Sequence, residues 1–495
     1  MTVSASLEIH EINVGQGDSI LIINRDLDAT RKQIVAEKGV ANVPADPIDY
    51  MPYCIANGIP LSGTSTKALL VDGGDDEYGG DVIGYMSDYG VLDGTTVWRP
   101  DLAVLVSHYH DDHMAGLRSV FKKRIDPTKK GDKVRFVERL RPGFVYQSLP
   151  NSKTNPKTDR FALFQGDVDA ASKAPSKKTK RVLLSPGGID SGVTPTEISL
   201  GKGVDGIPIT AYVVASGQSV NNGITGVTAI ASTGKNVDQN DRSVVLMLQY
   251  GSFRYFMGGD IAGSGGAAGG NFGTNAVVAG AKKFSSSAHA DVESTLGPGL
   301  EALFPATTKW LANRPKFVTA GYCTVVKANH HGSSSSMDVH LFGTLQPLLL
   351  LISSGVKSRF HNHPTQQVMN RATKTQTANW GLRAAGKKKA DSVMVDNSIG
   401  QIYVTEVGKK VKNAAFGVNL YTARIMGDIV VRPVDETISA IQGATARGEE
   451  LTVQVYGTGA ASGMTDPNTT LRPTVVQNKA GSIYPVGPYT HSDTH

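Results

Sequence analysis

The sequence predicts an α/β protein whose chemistry lies along one edge. Short apolar runs suited to buried strands recur through the chain, and each stops at a cluster of Asp, His or Gly. Helical spacing appears near Val82–Tyr89 and Ala290–Leu303. Hydrophobic residues make up 40% of 495, enough to bury a sizeable core. Loops at strand ends carry chemistry because a rigid sheet positions them.

The N-terminus reads as β. Leu7–Ile12 roughly alternates, Ser19–Ile23 is a second apolar run, and Gly15-Gln16-Gly17-Asp18 turns between them. Residues 25–66 interrupt the pattern with charges and prolines, as an insertion would. Ala68–Val71 resumes it and ends in Asp72-Gly73-Gly74. Leu102–Val106 is a further buried run, stopping at a histidine cluster. Residues 118–236 are basic, then rich in Gly, Ser and Thr, and predict a second large insertion. Val244–Tyr250 and Phe253–Met257 flank Gly251-Ser252 as a hairpin, which ends in Gly258-Gly259-Asp260. Residues 263–289 begin as a Gly/Ala-rich loop and form a third insertion. Tyr322–Ala328 runs into His330-His331-Gly332, and Leu345–Ile352 into Ser353-Ser354-Gly355. The main unit is therefore drawn as 1–409, with 410–495 as a small β-rich extension and polar tail around Asp428–Arg432 and Leu451–Tyr456.

Composition excludes several classes. Cys54 and Cys323 are the two cysteines, too few for a disulfide framework or a cysteine-based zinc site. No run of ~18 apolar residues is present, so no membrane span is predicted. Met1–Ser6 has neither the basic nor the apolar region of a signal peptide, which predicts a cytoplasmic protein unless a dedicated machine exports it. The formal charge is +6, but residues 118–181 hold 18 Lys/Arg against 6 Asp/Glu, a balance of +12, leaving −6 elsewhere. Such a basic segment is either a polyanion-facing surface or a solvated insertion. Lys122, Lys123 and Arg124 within it are the candidate substrate contacts.

His108, His110 and His113 fall within six residues directly after a strand. Imidazole nitrogen and carboxylate oxygen suit zinc and comparable divalent ions. A His-x-His pair can grip one ion while the Asp112-His113 pair serves a second. This His108-x-His110-x-Asp112-His113 motif resembles the signature of the metallo-β-lactamase superfamily. Asp72-Gly73-Gly74 is similar to its early Asp-Gly-Gly turn, and Gly258-Gly259-Asp260 and His330-His331-Gly332-Ser333 to its later landmarks, in the same order. Val14-Gly15-Gln16-Gly17-Asp18-Ser19, Asn240-Asp241-Arg242-Ser243, Lys327–Ser333 and His363-Pro364 narrow the likeness to the hydrolase domain of ComEC-type DNA-uptake proteins and their soluble relatives.

The resemblance implies a four-layer αββα sandwich carrying large insertions. It implies two divalent ions, Zn or Mn, with His108 and His110 at a first position, Asp112, His113 and His330 at a second, and Asp260 between them. His331 is the competing choice to His330. Asp241 is a possible ligand, because the superfamily's usual intermediate histidine has no counterpart from residue 114 to 288. Asp72 and Asp18 are expected behind the ligands, and Asp111 in solvent or beside them. Asp112 and His363 are the catalytic candidates, His363 as proton donor or phosphate contact. Ser333 and Ser336 read as helix caps or as donors to phosphate. His10 reads as structural, and His289, His340, His491 and His495 are unassigned. The expected activity is phosphodiester hydrolysis, as in a nuclease. Hydrolysis of a lactone, thioester or cyclic nucleotide is the alternative, and a scaffold with a vestigial site the third reading.

Overall fold

A computed structural model describes residues 6–60, 66–125, 135–148, 156–187, 194–263 (without 224 and 231–237), 289–304 (without 291), 323–355 (without 346), 363–365, 368–369, 372, 401–406, 423–433 (without 426), 450–457 and 486–494. The chain is a mixed α/β protein built on two large mixed sheets. The first has nine strands, in the order Val486–Thr494, Glu450–Gly457, Ile429–Pro433, Leu7–Glu11, Ile20–Arg25, Thr66–Val71, Trp98–Val106, Arg141–Ser148 and Lys180–Leu184. The second has ten: Val227–Ala229, Ser219–Asn221, Pro208–Ser216, Val245–Tyr250, Phe253–Met257, Val325–Lys327, Leu349–Ile352, Gln401–Val404 and Ala423–Ile425, with Thr196–Lys202 paired to Pro208–Ser216.

Side-chain alternation explains how the sheets pack. Leu7, Ile9, Ile22 and Leu69 of the first sheet share one buried cluster with Leu246, Leu248, Tyr255 and Leu349 of the second. The alternate residues face helices. Leu21, Ile23, Leu70 and Val104 meet Val82, Met86, Phe164 and Val168. Met247, Phe256 and Leu350 meet Val292, Leu296, Leu300 and Leu341. Each such Leu, Ile or Phe contributes roughly 1.5–3 kcal/mol on burial. Among the described residues no helix is long and apolar enough to cross a membrane.

Two sequence expectations need correction. The stretch 118–236 is not an insertion throughout: Arg141–Ser148 and Lys180–Leu184 extend the first sheet in parallel, and Pro208–Ser216 pairs antiparallel with Val245–Tyr250 inside the second. Its alternation is weak because Pro208–Ser216 is buried on both faces and Arg141–Ser148 opens on the buried pair Pro142-Gly143. Leu345–Ile352 is not one strand. Val339–Leu345 is helical and only Leu349–Ile352 is β, because Pro347 ends the helix before the apolar run is complete. The hairpin at Gly251-Ser252 forms in the expected register, Leu246 opposite Met257 and Tyr250 opposite Phe253. The stretch 25–66 folds as helices Leu27–Lys38, capped by Asp26, and Tyr50–Ala56, with a satellite core of Leu27, Ile34, Tyr50 and Cys54. Most of 263–289 lies outside the described residues.

Candidate metal centre

Parallel pairing aligns strand ends. Thr66–Val71, Trp98–Val106 and Arg141–Ser148 run together in one sheet, and Phe253–Met257, Val325–Lys327, Leu349–Ile352 and Gln401–Val404 in the other. Their carboxyl ends deliver Asp72, His108, Asp260, His330-His331 and Ser353 to one edge. Backbone hydrogen bonds stitch these loops together: Asp18 N to Asp112 O at 3.3 Å, Gly73 N to His113 O at 2.8 Å, His330 N to Gly259 O at 2.9 Å, and Val244 N to Ser107 O at 2.9 Å across the two sheets. Gly17 must be glycine. Its φ is +143°, and a Cβ would lie 2.3 Å from the Asp112 carbonyl oxygen.

Four of the histidines converge on Asp260. Its Oδ1 is 3.2 Å from His113 Nε2, and its Oδ2 is 3.9 Å from His108 Nε2, 3.5 Å from His331 Nε2 and 3.7 Å from His330 Nε2. Asp112 lies 3.6 Å from His331 Nε2 and 4.0 Å from His113 Nε2. Of the two late histidines, His331 is the one grouped with Asp112 and His113. Both residues occupy left-handed backbone, at φ +48° and +54°, and their rings diverge by 73°. Two consecutive non-glycine residues in that region cost of order 1–3 kcal/mol each, strain that concentrates at working sites.

The residues behind the ligands fix ring orientation. Asp72 receives His113 Nδ1 at 2.8 Å, and Ser107 donates to it from its backbone N–H (2.7 Å) and hydroxyl (2.6 Å). Asp18 lies 3.2 Å from His331 Nδ1, which also approaches the Ser353 carbonyl at 3.1 Å. In each case Nε2 is left facing Asp260, the arrangement that carboxylates impose on metal-binding histidines. Lys327, fully buried, donates to Asp18 and was missed by the sequence reading. Its strand alternation signals only an inward side chain, and the partner is 309 residues away.

Several buried atoms here have no hydrogen-bond partner: Nε2 of His108, His113 and His331, Asp260 Oδ1, Asp241 Oδ1, and Nδ1 of His289 and His330. Orphaned buried polar atoms are costly, and lone pairs aimed at a common point are what a cation satisfies. The donor set therefore fits divalent ions such as zinc or manganese. The charges agree. Burial opposes ionisation of Asp260, yet His113, His331 and His330 hold its carboxyl well below the usual range. Burial likewise opposes protonation of His113 and His331, but Asp260 with Asp112 and Asp18 raises both well above an ordinary imidazole. For His330, burial outweighs the pull of Asp260 and Asp112, the neighbouring His331 and His289 add to it, and the ring is pushed down to about 4.

Other expected residues fall nearby or away. His363 is buried, with its ring 5.8 Å from that of His330 and 6.3 Å from that of His331. His110 Nε2 lies 3.5 Å from Asp238, a residue the sequence reading passed over. Asp241 lies beside His289, 3.7 Å away. Asp111 bonds Arg160 at 3.2 Å. Ser336 donates to the Asn329 and Ser333 carbonyls, bracing the His330-His331 turn, while Ser333 pairs with Ser335. His10 is structural, buried between Tyr85 and Glu8. Lys122, Lys123 and Arg124 lie on a ribbon, Lys122–Ile125 paired with Arg135–Glu138, and no contact among the described residues ties them to the centre. His361 and His495 lie outside the described residues, as do the side chains of His340 and His491. The chain matches no protein-family model, and no curated protein matches it.

Proposed function

We propose that the chain is a metal-dependent hydrolase of the metallo-β-lactamase kind, akin to ComEC-type hydrolase domains, and that its substrates are phosphodiesters, nucleic acid foremost. In this reading the paired sheets and their outer helices are the four-layer αββα sandwich. Residues 1–409 carry the site, and 410–495 extend the sheets. The observation that carries the reading is the set of orphaned imidazole nitrogens and carboxylate oxygens gathered around Asp260.

His108 and His110 would hold one ion, Asp112, His113 and His331 the other, with Asp260 shared. Such ions acidify water toward about pH 7 and neutralise charge on a phosphate. The protein's own side chains do the remaining work. Asp72 and Asp18 hold the His113 and His331 rings in one tautomer, with Nε2 inward. Lys327 balances the Asp18 charge where no solvent reaches. His363, at the edge of the His330 and His331 rings, is placed to donate a proton to a departing oxygen.

The alternative of a small-molecule substrate, a lactone, thioester or cyclic nucleotide, has an observation of its own. Several cations of the basic segment are engaged internally: Arg118 by Asp167 at 3.3 Å, Arg160 by Asp75 at 2.8 Å and Arg181 by Asp169 at 2.9 Å. The test is hydrolysis of single- and double-stranded DNA, RNA, cyclic nucleotides, lactones and thioesters with Mn²⁺ or Zn²⁺. Cleavage of nucleic acid that falls with salt, and loses about one unit of salt slope per contact removed in Lys122→Glu/Lys123→Glu/Arg124→Glu, supports the nuclease. Turnover confined to small esters replaces it, and inactivity on every substrate overturns the hydrolase.

A further inference from the structure

His289 belongs to no motif, follows a long stretch without histidine, and reaches the centre from a separate part of the chain. Its side chain is 16% exposed, and its Nδ1 lies 3.6 Å from Asp238 Oδ2 and 3.7 Å from Asp241 Oδ1. Its ring is 5.9 Å from that of His330. Asp238 continues the chain of contacts to His110. Asp241 is 2% exposed and uses Oδ2 for the Asp238 backbone N–H, at 3.3 Å. Its Oδ1 and His289 Nδ1 have no hydrogen-bond partner, and they face one another at a distance too long for a hydrogen bond. Two ligands each ~2.0–2.1 Å from one tetrahedral ion sit about 3.3 Å apart. The observed separation is close to that and demands only a small inward movement.

We infer that His289, through Nδ1, and Asp241 complete the first metal position beside His108 and His110, supplying the histidine that the sequence withholds between 114 and 288. Asp238, 3.5 Å from His110 Nε2 and 3.6 Å from His289 Nδ1, borders the same position. This inference rests on the dinuclear reading above and adds to it the identity of two ligands.

Metal-stripped full-length wild type, His289→Ala and Asp241→Asn are titrated with Zn²⁺ and Co²⁺ against a chromophoric chelator, with circular dichroism and melting of the metal-free forms as the check on folding. Wild type is expected to take two equivalents. Each variant is expected to keep one at wild-type affinity and to bind the other more than ~100-fold weaker, beyond the ~10–100-fold that loss of an orienting partner costs. The Co²⁺ absorption of that equivalent changes, while melting of the metal-free protein does not. Asp241→Asn preserves shape, so it decides the matter if His289→Ala does not fold. Two equivalents held within ~100-fold of wild type in the folded variants overturn the ligand assignment and leave the dinuclear reading intact. Fewer than two equivalents in wild type overturn both.

Discussion

On one side of Asp260, the His113 and His331 side chains are 0% and 1% exposed, and each has Nδ1 beside a buried carboxylate. On the other side, His110 and Asp238 are 36% and 34% exposed, and His289 is 16% exposed. The groups of mutually close ligand atoms tell the same story. They contain Asp18, Asp72, His108, Asp112, His113, Asp260 and His331, and among the described residues none contains His110 or His289. The closed half is preorganised by its supports, so little ordering is left for an ion to impose. The open half faces outward and tightens on loading. We therefore expect the closed half to fill first and substrate to approach from the open one.

The largest effect that would break this contrast is expected for Asp260→Ala. Both halves lean on this one carboxylate, so each ion should bind more than ~100-fold weaker, exceeding any single supporting residue. Atomic absorption after dialysis reads it, and retention of either ion at wild-type affinity refutes the shared role. Asp72→Ala separates the halves. It releases the His113 ring alone, so one equivalent should weaken ~10–100-fold and the other not at all. Equal weakening of both would merge the halves into one unit.

Gly17→Ala probes the backbone that supports the closed half. A methyl group against the Asp112 carbonyl, at a positive φ, should destabilise the fold by about 1–3 kcal/mol, read by denaturant unfolding. An unchanged midpoint would show that this loop yields. The smallest expected effect is on pH. Without metal, His113 and His331 have raised pKa values, so their ion pairs with Asp260 stabilise fully below the unfolded imidazole value of ~6.5, and this stability fades as pH climbs through the higher folded values. Metal binding needs both rings neutral and so expels those protons. In chelator the melting temperature should decline by a few degrees above neutrality, while metal affinity rises. A melting temperature that increases with pH in chelator would contradict the protonated pair.

Both halves were legible in part. His108, His110, Asp112, His113 and Asp260 follow apolar strands, in spacings that a local reading resolves, whereas Lys327 in the closed half and His289 in the open one gave no such signal. A strand end fixes where the next few residues must go. The strands of 141–216 were harder to see, since Pro208–Ser216 is buried on both faces and so shows little alternation, and Pro142-Gly143 interrupts Arg141–Ser148.

Residue type and strand-end position, both local properties, thus determined from sequence alone that this chain gathers imidazoles and carboxylates along one sheet edge. Only the tertiary structure separated the His330 ring from the His331 ring and set the latter beside Asp112 and His113, because the course of a turn is not encoded in the order of two adjacent residues. It alone brought Lys327 to Asp18 and His289 to Asp241, since these pairings depend on how two sheets stack, and no spacing along the chain encodes that.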